Sequence, residues 1–343
     1  MVLRPGLVFP EAGHFTLRAS PRNGSTMSSR LLIVSTLLLS ACASARTAAP
    51  PTSLTPSVDY HQHLVSAAFA PIVKLPARDG RALLAELDAA GIQKAVVLSV
   101  GYSFADERKN LPDPDGLTRA ENDWTSAQVS ASGGRLIGFC SANPMRPAAL
   151  GELERCLGLP GMRGIKLHFG NGGITLRDTS HLRRIQDVFR LAQRLSRPVL
   201  VHMRARGGAN YGGEDARLFL SRVVPAAPDV EIVVAHLGYS GPGYPDADSV
   251  MAAFGEAAER NDPNLRNVYF DVATNVTAES TPENVALVAR PIRQVGARRV
   301  LYGSDLSPPG WSIRSGWQVF RDRVPLTAEE MRTIAGNVTR FAR

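Results

Sequence analysis

The stretch Val58-Asp59-Tyr60-His61-Gln62-His63 presents two histidines one residue apart. In an extended chain successive side chains take opposite faces, so His61 and His63 point the same way and Gln62 the other. Two imidazoles on one face can share a metal ion, although an isolated pair can equally be a strand cap beside a surface residue. The remaining histidines decide between these readings. Of seven in the chain, His14 lies near the start and His181 opens a helical pattern, while His61, His63, His168, His202 and His236 all fall at the ends of β-branched runs. Asp305 follows one more such run, in Leu301-Tyr302-Gly303-Ser304-Asp305. Any one of these residues could be structural; as a set they are hard to explain that way. Imidazole nitrogen and carboxylate oxygen suit a divalent, zinc-like ion, and a catalytic site keeps one position open for water or substrate.

The elements that must position these groups are short β-branched runs alternating with longer amphipathic segments, the pattern of βα units on a parallel sheet. Strands are expected near 57–62, 94–100, 135–140, 163–168, 197–202, 230–236, 267–273 and 298–303. Helices are expected over 80–90, 120–132, 181–195, 215–224, 249–260, 282–295 and 327–341, the last with Thr327 as its N-cap and Glu329 and Glu330 in the first turn, where the helix dipole favours acids. Eight strands each followed by a helix predict an α/β fold, a single-domain (β/α)8 TIM barrel over 57–343, with its chemistry at the carboxyl ends of the strands.

With the strands in place, His-x-His on the first, Val201-His202-Met203 on the fifth, Ala235-His236-Leu237-Gly238 on the sixth and Gly303-Ser304-Asp305 on the eighth resemble the amidohydrolase superfamily. The closing Ala335-Gly336-Asn337-Val338-Thr339-Arg340-Phe341 resembles its amidohydrolase-related branch, which includes the aminocarboxymuconate-semialdehyde decarboxylase-like enzymes. The resemblance covers residues 58–343. It implies that His61, His63, His202 and Asp305 hold one divalent ion, zinc first, which acidifies water to a pKa of about 7. It also implies that Asp305 takes the proton, and that His236 stands in the site but off the metal, to stabilise an oxyanion or move a proton.

On the fourth strand Lys166 and His168 share a face, and a lysine inside a barrel needs a reason because burying its charge is costly. In some relatives such a lysine is carboxylated and bridges two metals. The simpler reading, favoured because this branch resembles mononuclear enzymes, is that Lys166 or His168 binds a substrate anion as an ammonium or imidazolium. Arg204 shares the face of His202 if the fifth strand continues, and could then clamp a carboxylate. The Gly-rich stretch 206–213 lacks phosphate-loop spacing and reads as a mobile active-site loop. Tyr102 and Asn143 are weaker pocket candidates, and Trp124 reads as packing.

The leading functional expectation is a metal-dependent hydrolase acting on an amide, lactone or ester carbonyl of a small molecule. A metal-dependent non-oxidative decarboxylase of an aromatic or enolic acid is the alternative. A catalytically inactive, lipid-anchored binding protein is a third possibility, whose mark would be a lost ligand, and all four ligands are present. The formal charge of +8 does not point to nucleic acid: residues 1–41 hold Arg4, Arg18, Arg22 and Arg30 against Glu11, a net +3 that leaves +5, and the other arginines are scattered without basic runs. Partners expected are an anionic small molecule, a membrane and, as an open option, a second copy of the chain.

The membrane enters through the N-terminal region. From Met27 a basic start, an apolar run over 31–39 and Ser40-Ala41-Cys42 make an export signal too short to span a bilayer. Leu39-Ser40-Ala41-Cys42 resembles a bacterial lipobox, implying a signal peptide over 27–41 and lipidation of Cys42. Ala43, by Gram-negative sorting rules, favours the outer membrane facing the periplasm. Residues 42–56, rich in Ala, Thr, Pro and Ser, read as a flexible tether, and 1–26 as an extension upstream of the true start. Of the remaining cysteines, Cys140 and Cys156 are read as buried free thiols, since sequence alone does not bring them within bridging distance.

Overall fold

The β-branched runs become eight parallel strands: β1 (Val58–Gln62), β2 (Lys94–Leu98), β3 (Leu136–Ser141), β4 (Met162–His168), β5 (Val199–His202), β6 (Ile232–Val234), β7 (Val268–Asp271) and β8 (Val300–Leu301). They pair in chain order. At the seam the Tyr60 N–H donates to the Tyr302 carbonyl at 2.8 Å and the Asp305 N–H to the His61 carbonyl at 2.7 Å, so β8 returns to β1 and the sheet is a nearly closed barrel. The expected (β/α)8 architecture is what the chain forms. The computed structural model describes residues 54–206, 208, 210–239, 245–306 and 311–343. The predicted signal, Cys42 and the tether up to residue 53 lie outside the described residues, as do Gly207 and Ala209 of the Gly-rich stretch.

Strands buried on both faces need apolar residues throughout, which is why Ala95-Val96-Val97-Leu98 and Val199-Leu200-Val201 read without polar alternation. The lower barrel is filled by Val58, Tyr60, Val96, Leu98, Phe139, Leu200 and Val233. Phe341 closes it from below, 5.9 Å from the Tyr60 ring and 5.5 Å from that of Phe139. The Glu231 carboxylate holds this plug by accepting from the Arg340 and Phe341 N–H groups at 2.9 and 3.1 Å. With one end packed, the opposite end, where the strands finish, is left for chemistry. A register shift between Asp59 and Gln62 interrupts strict alternation on β1. A bulge of this kind re-aims side chains, so Tyr60 fills the barrel while His61 and His63 come together above it, rings 5.3 Å apart.

The helices packed outside are α1 (Gly80–Ala90), α2 (Pro114–Ser130), α3 (Ala149–Leu157), α4 (Thr179–Leu195), α5 (Gly213–Leu218), α6 (Pro245–Glu259), α7 (Pro282–Val295), α8 (Ile313–Arg323) and α9 (Ala328–Gly336). Helix α2 begins six residues earlier than expected because Asp113 caps it, accepting from the Gly116 N–H at 3.0 Å, with Pro114 at the first turn. Thr327 caps α9 as expected, accepting from the Glu330 N–H at 3.2 Å. That helix stops at Gly336, before residue 341, because the Asn337 amide turns to the Ala297 and Val300 carbonyls. Trp124 is partly buried against the core, as read from sequence. Among the described residues no helix is long and apolar enough to cross a membrane.

The free-thiol expectation is overturned. Cys140 at the end of β3 and Cys156 in the last turn of α3 form a disulfide, with Cα atoms 5.9 Å apart and both residues buried. The sequence gap of 16 hides this proximity, because α3 folds back onto the strand it follows. Closing a loop of that size contributes about 3 kcal/mol on the chain-entropy account. Thiol titration of the unfolded, unreduced protein is therefore expected to find neither Cys140 nor Cys156 free, and Cys140→Ser is expected to cost about 2–4 kcal/mol in denaturant unfolding. Two titratable thiols in oxidised protein would contradict the bridge.

Candidate metal centre

Three imidazoles converge on Asp305. Nε2 of His61 lies 3.8 Å and Nε2 of His63 3.6 Å from Oδ1, and Nε2 of His236 lies 3.7 Å from Oδ2. The other nitrogen of each ring is committed to an acceptor: His61 Nδ1 to Asp271 Oδ2 at 2.9 Å, His63 Nδ1 to the Leu98 carbonyl at 2.7 Å, and His236 Nδ1 to the Ala273 carbonyl at 2.7 Å. Acceptors at Nδ1 keep the proton there and turn three bare Nε2 atoms toward the carboxylate, the arrangement that readies imidazole as a metal ligand. Ligand atoms of His61, His236 and Asp305 lie within 4.8 Å of one another. Imidazole nitrogens beside a carboxylate oxygen fit a divalent ion.

The electrostatics keep these groups in the required protonation states. Burial, reinforced by the Lys166 charge, holds His61 well below its ordinary pKa, and burial brings His63 down to about 4. Burial and the neighbouring His168 do the same for His202. These rings are neutral at neutral pH, as ligation requires. Burial would push Asp305 up, but His61, His236 and His63 together with the Leu306 N–H bring it to about 2, so it is ionised. Lys166 is buried with Nζ 3.4 Å from His61 Nε2, and burial lowers it to about 8 against the pull of Asp305 and Asp271.

The structure distributes the other expected residues unevenly. His202 ends β5 with its ring 5.0 Å from that of His236 and stacked 4.0 Å from that of His168, so it stands beside the His61, His236 and Asp305 group, and His236 stands within it. The His236 Nδ1 is engaged by the Ala273 carbonyl, which leaves Nε2 as the atom directed at the centre. Lys166 and His168 do share the inner face of β4, and His168 pairs in register with His202. Arg204 departs from expectation: β5 ends at His202, and the guanidinium instead lies 4.6 Å over the Tyr239 ring. Arg206, the first residue of the Gly-rich stretch, is tied down rather than loose, donating to the Gly170 and Asn171 carbonyls at 3.0 and 2.8 Å. Tyr102 reaches the site, its ring 4.9 Å from that of His168. Asn143 braces a turn through the Ala105 carbonyl and the Met145 N–H, and lines a separate cavity of about 330 Å³ between α2 and α3.

Several supporting residues had no sequence signal of their own. Asp271 ends β7 and binds His61 through one oxygen, while the other accepts from the His236 and Ala273 N–H groups at 2.8 and 3.1 Å. His236 and Leu237 follow with φ of 54° and 50°, a left-handed turn costly for such residues. Asp305 has φ of 63° and is held by its own seam bond and by Gln62 Nε2, which donates to its carbonyl at 3.2 Å. Gln62 also donates to Asp59 Oδ2 at 3.0 Å and accepts from Arg78 Nη1 at 2.9 Å, and Arg78 in turn grips the His63 carbonyl at 2.9 Å. Asp59 accepts from the Ser304 N–H and hydroxyl at 3.1 and 2.5 Å. The residue facing away from the paired histidines is thus the strut beneath Asp305. An acid closing an apolar strand, as in Val268-Tyr269-Phe270-Asp271, was the one available hint for Asp271.

A family model described as amidohydrolase matches residues 58–337. Solved structures of similar fold include an amidohydrolase from Burkholderia multivorans with bound zinc, 15% identical, TM-score 0.56, the match covering 82% of this chain and 96% of that one. A probable 2-pyrone-4,6-dicarboxylic acid hydrolase from Acinetobacter baumannii with citric acid bound is 16% identical, TM-score 0.53, covering 81% and 95%. A 5-carboxyvanillate decarboxylase from Novosphingobium aromaticivorans with bound manganese is 14% identical, TM-score 0.51, covering 82% and 94%. No curated protein matches the chain.

Asp271→Asn tests the orienting role. One side of the new amide is a donor, so either the His61 Nδ1–H or the two backbone N–H groups lose their acceptor. Zinc affinity measured by chelator competition is expected to fall about 10- to 100-fold with the circular dichroism spectrum retained. Unchanged affinity would show that Asp271 does not set the His61 ring.

Proposed function

This chain belongs to the amidohydrolase family, and from that premise we propose that it is a metal-dependent hydrolase acting on an amide, lactone or ester carbonyl of a small anionic molecule. The observation that carries the reading is the convergence of three Nε2 lone pairs on Asp305 with every Nδ1 already committed. His61, His63, His202 and Asp305 are the donor set that the sequence suggests, with the Nε2 of His236 facing Asp305 beside them. A bound divalent ion, zinc by the donor chemistry, would supply Lewis acidity to water and to the substrate carbonyl alike.

The chain's own residues do the rest. Asp305, ionised and fixed by the Leu306 N–H at 2.6 Å, takes the proton released as the water oxygen bonds to the carbonyl carbon. It returns that proton to the nitrogen or oxygen that leaves when the carbonyl carbon's other bond breaks. His236, with its Nε2 3.7 Å from Asp305 Oδ2, is placed to share the proton. Lys166 supplies a buried positive charge for an anionic substrate. The same charge supports a second reading, a non-oxidative decarboxylase, because it would stabilise the electrons left on an aromatic or enolic acid as carbon dioxide departs.

Elemental analysis of the purified protein is expected to find about one equivalent of divalent metal per chain, lost in His61→Ala, and turnover is expected with lactones, esters or amides. Metal content below about half an equivalent and insensitive to His61→Ala would defeat the proposal. Carbon dioxide release from aromatic carboxylates without hydrolysis would replace it by the decarboxylase reading.

We propose further that the protein is anchored in the bacterial envelope through a lipid on Cys42. The buried Cys140–Cys156 disulfide supports export, since such bonds persist in oxidising compartments. Intact-mass spectrometry of protein from membranes is expected to give a chain starting at a lipidated Cys42, and an unmodified Cys42 would remove the anchor.

A further inference from the structure

His168 carries its proton on the opposite nitrogen from the three rings around Asp305. Its Nδ1 receives the backbone N–H of Asn171 at 3.2 Å, and a peptide N–H is always a donor. A proton on Nδ1 would set two N–H groups against each other. That excludes both the Nδ1–H tautomer and the imidazolium, and places the proton on Nε2. The turn delivering the Asn171 N–H, Phe169–Gly172, starts directly at the strand end with His168 as its cap. Gly170 lets the turn close over the ring: a Cβ there would lie 3.2 Å from the Arg204 carbonyl and 3.4 Å from His168 Cε1. The ring is further fixed by stacking on His202, centroids 4.0 Å apart at 16°, and by Tyr102 at 4.9 Å.

The donor at Nε2 is uncommitted. Among the described residues no hydrogen bond is formed at this nitrogen, and His168 closes β4 at the end of the barrel where the strands finish. His168 is partly exposed whereas Lys166 and His202 beside it are buried. Along the strand it lies two residues, about 6.6 Å, beyond Lys166 toward the mouth. The two side chains therefore offer a charged donor at the centre and a neutral donor further out.

We infer that His168 is a substrate-positioning hydrogen-bond donor, presenting Nε2–H to a carboxylate or carbonyl oxygen of the substrate remote from the reacting carbonyl, and is neither a metal ligand nor a cation. This rests on the reading of the site as the substrate-binding end of a hydrolase and gives that substrate a second oxygen function, outward of the group held at Lys166. It also revises the expectation that His168 would meet an anion as an imidazolium.

Ring-nitrogen NMR of the full-length protein carrying 15N-histidine tests the tautomer, with His168 assigned from His168→Gln. At neutral pH the expected result is a protonated Nε2 and a bare Nδ1 on His168, unchanged by one equivalent of zinc while the Nε2 signals of His61 and His63 move. Benzoate, added as the carboxylate probe up to its solubility, is expected to shift His168 Nε2. A proton on Nδ1, a zinc-induced loss of the Nε2 proton, or no response of Nε2 to benzoate would each overturn the inference. In turnover assays His168→Phe, which keeps a ring without a donor, is expected to raise KM about tenfold with kcat within about threefold, and His168→Gln to restore most of the loss. A kcat collapse in both variants with KM unchanged would assign His168 to the chemistry instead. Wild-type protein without zinc uptake or turnover, but with the tautomer and benzoate response intact, would sink the hydrolase reading and leave His168 as an anion donor.

Discussion

Asp271 is buried at the end of β7 and engaged on both oxygens, by the His61 imidazole on one side and by the His236 and Ala273 N–H groups on the other. Burial alone pushes its carboxyl above the ordinary range, and only donors aimed at it make a charge there tolerable. The same bonds decide which nitrogen of His61 faces the centre and where the backbone of His236 turns. Strands six, seven and one are joined through a single side chain, and the approach of the imidazoles to Asp305 follows from that junction.

Strain at the centre is held by backbone bonds and by side chains that brace it from behind. The left-handed turns at His236 and Asp305 each cost free energy on the order of 1–3 kcal/mol, and persist because the surrounding bonds over-determine them. For Asp305 the holding parts are the seam between β8 and β1, the Asp59–Ser304 contacts, and Gln62 braced by Arg78. Rigidity of this kind suits a site whose ligands must be in place before an ion arrives, since side chains already confined lose little entropy on binding. Beneath it, the Phe341 plug and the apolar barrel layer give the site a floor that does not yield.

Two tautomers divide the site by function. Rings whose Nδ1 meets a carbonyl or carboxylate present lone pairs and gather around Asp305; the ring whose Nδ1 meets an N–H presents a proton and stands at the mouth. Chemically identical side chains thus acquire opposite polarity from one neighbouring backbone atom each. Lys166, between them, contributes a buried positive charge.

The barrel was legible in the sequence because parallel strands buried on both faces must be continuously apolar, and because groups that act together must sit at the same end of them. That is why His61, His63, His168, His202, His236 and Asp305 could be assembled from positions alone. What the linear pattern could not hold was direction and distance. Alternation predicts a face only while a strand runs regularly, and the shift in β1, the early end of β5 before Arg204 and the kinked turn at His236 all fall where regularity stops. The disulfide escaped for the same reason, since helix α3 returns Cys156 to Cys140 by packing rather than by spacing. Asp271, Gln62 and the protonation of each histidine ring depend on which backbone groups lie within about 3 Å, a quantity that exists only once distant segments have been brought together.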